Sequence, residues 1–136
     1  MATVRTGGCL CGAVRYESGG EPMFSLQCHC RDCQRSSGAA HVAAVRMQSA
    51  EFRITQGAPR RYVAAADSGN EITRVFCGDC GTPLWATSPE PNPASYGLRV
   101  GTLDRRAELE PSRQGWFRSA LPWSQDLGGV RRIERQ

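Results

Sequence analysis

Apolar and polar positions along this chain alternate in short runs and never settle into a three-to-four-residue repeat. That pattern predicts strands. Residues 13–17 alternate and are closed by Ser18, Gly19 and Gly20. Residues 23–26 read as a second strand running straight into Cys28. Residues 32–37 fit one helical turn, stopped by Gly38. Residues 40–47 are an apolar run of the kind a buried strand shows. Residues 52–55 alternate before a turn at Gly57, and 61–64 follow as another short strand. Residues 70–76 alternate with Ile72 and Val75 or Phe76 as anchors, 83–86 return, and 96–103 form a further strand. Pro89, Pro91 and Pro93 forbid ladder bonding and mark a loop between the last two. Trp116 and Phe117 fit a last short strand before a turn at Pro122 and Trp123. The expected class is mainly β, with short strands and little helix.

No internal repeat and no linker divides the chain, and 136 residues suffice for one domain with its own core. The domain is expected over residues 3–126, with 127–136 as a frayed tail. A content of 40% hydrophobic and 22% charged residues is that of a soluble globular chain. No apolar run approaches the ~20 residues a membrane span needs. Residues 1–5 lack the apolar stretch of a signal peptide. The expectation is a cytoplasmic protein with no membrane partner. There thiols stay reduced, and clustered cysteines bind metal or do chemistry.

Charge narrows the partners. The net charge is +4, and every basic residue is arginine. Arginine grips carboxylates in a two-pronged fork, which suits anionic substrates. Apart from the pairs 60–61, 105–106 and 131–132, the arginines are scattered. With no basic helix or long run, nucleic acid is not an expected partner.

The seven cysteines fall into four and three. Cys77 and Cys80 stand in a tight turn between two strands, with Gly78 and Gly81 to permit its backbone angles. Cys9 and Cys11 stand among Gly7, Gly8 and Gly12. Two turn-flanked pairs make a closed tetrahedral zinc site of four cysteines, a structural type that would pin the N-terminal strand to the middle of the chain. The central run Cys28-His29-Cys30-Arg31-Asp32-Cys33 offers three sulfurs to a second zinc and leaves its fourth position open, as catalytic zinc sites do. The candidates for that position are His29, Asp32, His41 and water. His29 lies between two ligands and is expected to point away from the ion. Asp32 reads better as the cap of the following turn, and His41 as a packed histidine. Beside the open site, Arg31 and Arg35 are candidates to meet a substrate's carboxylates, and Ser36 and Ser37 to bond it. Trp85, Trp116 and Trp123 are candidates to wall a pocket, with at least one in the core.

Three blocks carry a resemblance: residues 8–16 around Cys9 and Cys11, residues 28–34, and residues 76–84 around Cys77 and Cys80. In combination, order and spacing they resemble the glutathione-dependent formaldehyde-activating enzyme family, which includes centromere protein V-like domains. The resemblance runs from about Thr6 to Trp123. It implies a zinc-bound β-tent of small twisted antiparallel sheets. It implies Cys9, Cys11, Cys77 and Cys80 as structural zinc ligands and Cys28, Cys30 and Cys33 as catalytic zinc ligands. The implied activity joins glutathione to formaldehyde as S-hydroxymethylglutathione, classed as a carbon–sulfur lyase, with two zinc per chain and no redox cofactor. Family members commonly carry a His before the aromatic residue of a closing segment that ends in Pro-Trp. Here Gln114 and Gly115 precede Trp116 and Phe117, while Pro122 and Trp123 are kept.

Three readings follow. The first is a zinc-dependent lyase acting on a small glutathione-like thiol and an aldehyde. The second is a zinc-ribbon-like module that binds protein or nucleic acid, which the scattered arginines disfavour. The third is a thiol redox sensor built on Cys28, Cys30 and Cys33.

Overall fold

A computed structural model describes residues 3–135. Among them are ten strands and one α-helix: β1 (Val4–Gly8), β2 (Arg15–Gly19), β3 (Phe24–Cys28), α1 (Arg31–Ser37), β4 (Val42–Gln48), β5 (Phe52–Gln56), β6 (Arg60–Ala65), β7 (Glu71–Phe76), β8 (Pro83–Thr87), β9 (Ser95–Arg99) and β10 (Arg113–Gly115). They form a three-stranded sheet, β1-β2-β5, and a seven-stranded sheet, β10-β3-β4-β9-β8-β7-β6. The fold is mainly β, as the alternation predicts. No described helix is long and apolar enough to cross a membrane.

The pairings are antiparallel except one: β10 runs parallel to β3, with Gly115 opposite Cys28. Two elements escape the hydrophobic pattern. β1 has one apolar residue, Val4, and is held by its ladder to β2. Gly7 is required there, because a Cβ would stand 2.5 Å from the Tyr16 hydroxyl. The last strand is β10, not residues 116–117. Trp116 takes a left-handed backbone (φ 50°) and Phe117 opens a 3-10 turn, so the two aromatics end the strand. The run 96–103 is likewise broken: after Arg99 the chain enters a 3-10 turn, Val100–Thr102.

The core lies between the sheets. Tyr16 of β2 and Phe52 of β5 meet Trp85 of β8 and Tyr96 of β9. The Phe52 and Tyr96 rings stack at 4.1 Å, and Tyr16 stands edge-on to Trp85 at 5.5 Å. Val45, Met47, Val75, Leu84 and Leu98 complete the layer from the large sheet. Because side chains alternate along a strand, these residues leave Ala44, Arg46, Arg74, Ala86, Gly97 and Arg99 for the opposite face, where they line a cavity. Beyond Gln125 the described residues carry no helix or strand and are exposed.

Candidate metal centres

The seven cysteines, all unbridged, gather into two sets in the groups of four and three that their spacing predicts. In each set the sulfurs lie within 4.8 Å of one another. Sulfurs at the corners of a tetrahedron around zinc, with Zn–S near 2.3 Å, stand about 3.8 Å apart. Cys9 and Cys11 are 3.6 Å apart and Cys11 and Cys77 are 3.8 Å apart, so the donor set and its spacing fit the ion.

Two turns build the set of four. One joins β1 to β2. The Gly12 N–H donates to the Cys9 carbonyl, the Cys9 N–H to the Val14 carbonyl, and the Val14 N–H to Cys9 Sγ at 3.2 Å. Gly12 holds a positive φ of 82°, which a side chain would strain. The other joins β7 to β8, where the Gly81 N–H donates to the Cys77 carbonyl and the Cys77 N–H to the Thr82 carbonyl. Thr82 clamps the two turns together. Its Oγ1 accepts from the Leu10 N–H at 3.1 Å and stands 3.1 Å from Cys80 Sγ, free to donate. Hydrogen bonding from the Thr82 side chain and backbone brings the Cys80 thiol down to about 5. Cys9 and Cys77 are buried, so this set belongs to the core end where the two sheets meet.

The set of three is built differently. Cys28 ends β3, Cys30 is the N-cap of α1, and Cys33 lies in its first turn. Cys30 Sγ accepts from the Cys33 N–H at 3.3 Å, so Cys30, not Asp32, caps the helix. Gly38 closes it in the left-handed region, donating its N–H to the Gln34 carbonyl. Buried Gln34 fixes the helix in place, donating through Nε2 to the carbonyls of His29 at 2.8 Å and Ser119 at 3.1 Å. Hydrogen bonding from the Cys33 thiol brings Cys28 down to about 5, aided by the Cys30 N–H and thiol and by the charge of Arg99. Cys33, sharing its proton with Cys28, is pushed up.

His29 is fully buried and stands outside the sulfur set. Its Nε2 donates to Gln114 Oε1 at 2.8 Å, and its ring packs against His41 and, edge-on, Phe117. Gln114 thus braces the histidine between two cysteines. His41 is the packed histidine its position suggests, and burial pushes its pKa down. Asp32 faces Arg74 at 4.0 Å.

All three sulfurs open on a cavity of about 360 Å³ on the outer face of the large sheet. Arg31 and Arg35, close to the cysteines in sequence, are exposed and do not line it. Arg31 instead bonds Gln34 Oε1 at 3.1 Å. Ser36 and Ser37 donate back to the Cys33 carbonyl as turn residues. The arginines of the cavity are Arg46, Arg74 and Arg99, from β4, β7 and β9. Their signal in the sequence is that of lone arginines inside apolar strands, each two residues from a small or apolar partner on the same face: Ala44, Ile72 and Gly97. Trp116 also lines the cavity, Trp85 is core and Trp123 is exposed.

Comparison with known proteins agrees with this geometry. A protein of Halomonas elongata, provisionally named a glutathione-dependent formaldehyde-activating enzyme, is 28% identical over 87 residues, 61% of this chain. The match spans 55% of that relative's length. A crystal structure of a Rhodobacter sphaeroides protein shares the fold, with a TM-score of 0.59 and 23% identity over 80% of this chain and 98% of that one. The model of the glutathione-dependent formaldehyde-activating enzymes matches residues 4–119, and the chain belongs to that family.

Proposed function

We propose that the protein is a zinc-dependent carbon–sulfur lyase acting on the adduct of a small glutathione-like thiol with an aldehyde. In this reading Cys9, Cys11, Cys77 and Cys80 hold a structural zinc, and Cys28, Cys30 and Cys33 hold the catalytic one. The observation that carries it is the opening of three clustered sulfurs onto a cavity of about 360 Å³ in a chain of this family. The functional unit is residues 3–126, acting in the cytoplasm, where its thiols stay reduced.

When bound, zinc supplies an open Lewis-acid position among the three thiolates. The chain's own residues do the rest. Cys28, Cys30 and Cys33 fix that position at the cavity floor. Arg99, whose charge already bears on Cys28 and Cys33, offsets the negative charge of an arriving thiolate. Leu26, Val42 and Trp116 give the cavity an apolar wall. In the forming direction the sulfur lone pair makes the S–C bond and the carbonyl π pair moves to oxygen. That oxygen takes up a proton, and the thiol's proton leaves to solvent. Nothing is oxidised or reduced.

Exchange NMR with glutathione and formaldehyde tests this. Faster interconversion of free and S-hydroxymethyl forms is expected with the two-zinc protein, and only the uncatalysed rate with Cys30→Ser. No acceleration across a panel of aldehydes would overturn the assignment.

A further inference from the structure

The ladder places the cavity arginines in a definite arrangement. Arg46 of β4 pairs with Gly97 of β9, Gly97 with Ala86 of β8, and Ala86 with Arg74 of β7. Arg46 and Arg74 therefore stand at the two ends of one row. Three inter-strand steps separate their backbones by about 14 Å. Between them the row carries only Gly97 and Ala86. One position along, Arg99 pairs with Ala44, which pairs with Leu26 two residues before Cys28. The Arg46 guanidinium reaches back over Gly97, 3.8 Å from where a Cβ there would stand, while Arg74 starts from the far end of the row and Arg99 stands towards the thiols.

These guanidiniums are short of partners. Among the described residues, neither Arg46 nor Arg99 has a carboxylate oxygen within 4.0 Å, and Arg74 has only Asp32, at that limit. Arg46 donates to Ser95 Oγ at 3.3 Å and Arg99 to the Gly97 carbonyl at 3.5 Å, both long bonds. Arg74 Nε is buried with no partner. All three side chains are half-buried, and arginines withdrawn from water are ordinarily paired. Three in one cavity, with their planar forks largely unused, form a receptor for carboxylates.

We propose that Arg46 and Arg74 are a clamp for a thiol bearing two carboxylates, that Arg99 adds positive charge on the side of the cysteines, and that small Ala86 keeps the space between them open for the ligand. This rests on the thiol reading above and sharpens it. The site selects its thiol by the carboxylates, and a small uncharged thiol is a poor ligand.

Isothermal titration of the zinc-loaded protein with glutathione and with its diethyl ester tests the clamp without relying on turnover. Glutathione is expected to bind at least about tenfold more tightly, the scale of losing charge-assisted hydrogen bonds. The preference should shrink in Arg46→Met and in Arg74→Met and vanish in the double variant. Ala86→Leu, which leaves every charge in place, should weaken glutathione by filling the cavity between the arginines. Zinc content and thermal melts report folding of each variant. Equal binding of acid and diester by the unaltered protein would overturn the clamp, as would a preference that survives in a folded double variant. The two proposals fail separately. A clear acid preference with no aldehyde exchange sinks the lyase and keeps the clamp. Exchange that proceeds equally well with the diester does the reverse.

Discussion

Cys80 lies in the turn between β7 and β8 and Cys28 at the end of β3, and each thiol is brought down to about 5. The sources of that depression differ. Cys80 owes it first to the Thr82 hydroxyl and backbone, groups the fold fixes in place. Cys28 owes it first to Cys33, another sulfur of its own set. The four-sulfur cluster lies at the meeting of two sheets, two of its members in the core. The three-sulfur cluster lies on the outer face of one sheet, against a cavity and three arginines with few partners. The first set offers four sulfurs, the number a closed tetrahedral site uses, and the second offers three. The four come from two turns in distant parts of the chain, and the three from a single local segment at the rim of a cavity.

The strongest way to break this contrast is to remove one sulfur from each set. Structural zinc contributes about 10–16 kcal/mol in small zinc domains, as much as the whole stability of a domain, about 5–15 kcal/mol. Cys77→Ser should therefore abolish the cooperative melt, read in the near-ultraviolet dichroism of buried Trp85. Cys30→Ser should lose one zinc of two and all exchange activity while shifting the melt by only a few degrees. Its local cost is small, because serine is itself a good N-cap for the seven-residue helix. If Cys77→Ser melts like the unaltered protein, or Cys30→Ser unfolds, the division into structural and open clusters is wrong.

Much of this is readable from residue spacing. Glycines beside Cys9, Cys11, Cys77 and Cys80 announce tight turns, and alternation announces most strands. β1 is hidden because Val4-Arg5-Thr6-Gly7-Gly8 has no alternating apolar face; its ladder to β2 makes it a strand. β10 lies a few residues before the expected strand because aromatic content at 116–117 mimics strand propensity, while polar Arg113 and Gln114 form the ladder to β3. The cavity arginines are the larger omission. Arg31 and Arg35 draw attention by standing close to Cys30 and Cys33 in sequence. Arg46, Arg74 and Arg99 lie far from the central run in sequence and reach it only through strand order, which periodicity does not supply.

A subtler probe asks how the open site keeps its shape without a core around it. Gln114 accepts from His29 Nε2, and His29 is fully buried. Gln114→Leu strands that donor, at about 1–3 kcal/mol. Gln114→Glu keeps an acceptor in reach and should recover most of the loss. Chelator should strip the labile zinc faster from the Leu variant, while the zinc held by Cys9, Cys11, Cys77 and Cys80 is unchanged. Equal zinc release by the Leu and Glu variants would show that the brace plays no part.

The smallest expected effect concerns the ion pairs outside the closed cluster. Asp104 accepts from Arg15 at 2.5 Å and from the Thr6 hydroxyl at 2.6 Å, and these bonds hold its carboxyl below the usual value of 3.8. A folded-state pKa below the unfolded one gives stability that is full above the unfolded value and fades as pH falls through the folded one. The melting difference between the unaltered protein and Asp104→Asn should accordingly be constant from pH 7 to about 5 and close below pH 4. Acid also releases zinc, because thiolates must stay deprotonated to bind it. Both proteins share that loss, so the difference between them isolates the carboxylate. Half-exposed pairs are screened by solvent, and the shift at pH 7 should be a degree or two. A difference that persists unchanged at pH 3 would mean that Asp104 acts through its shape at the β1–β2 ladder and not through its charge.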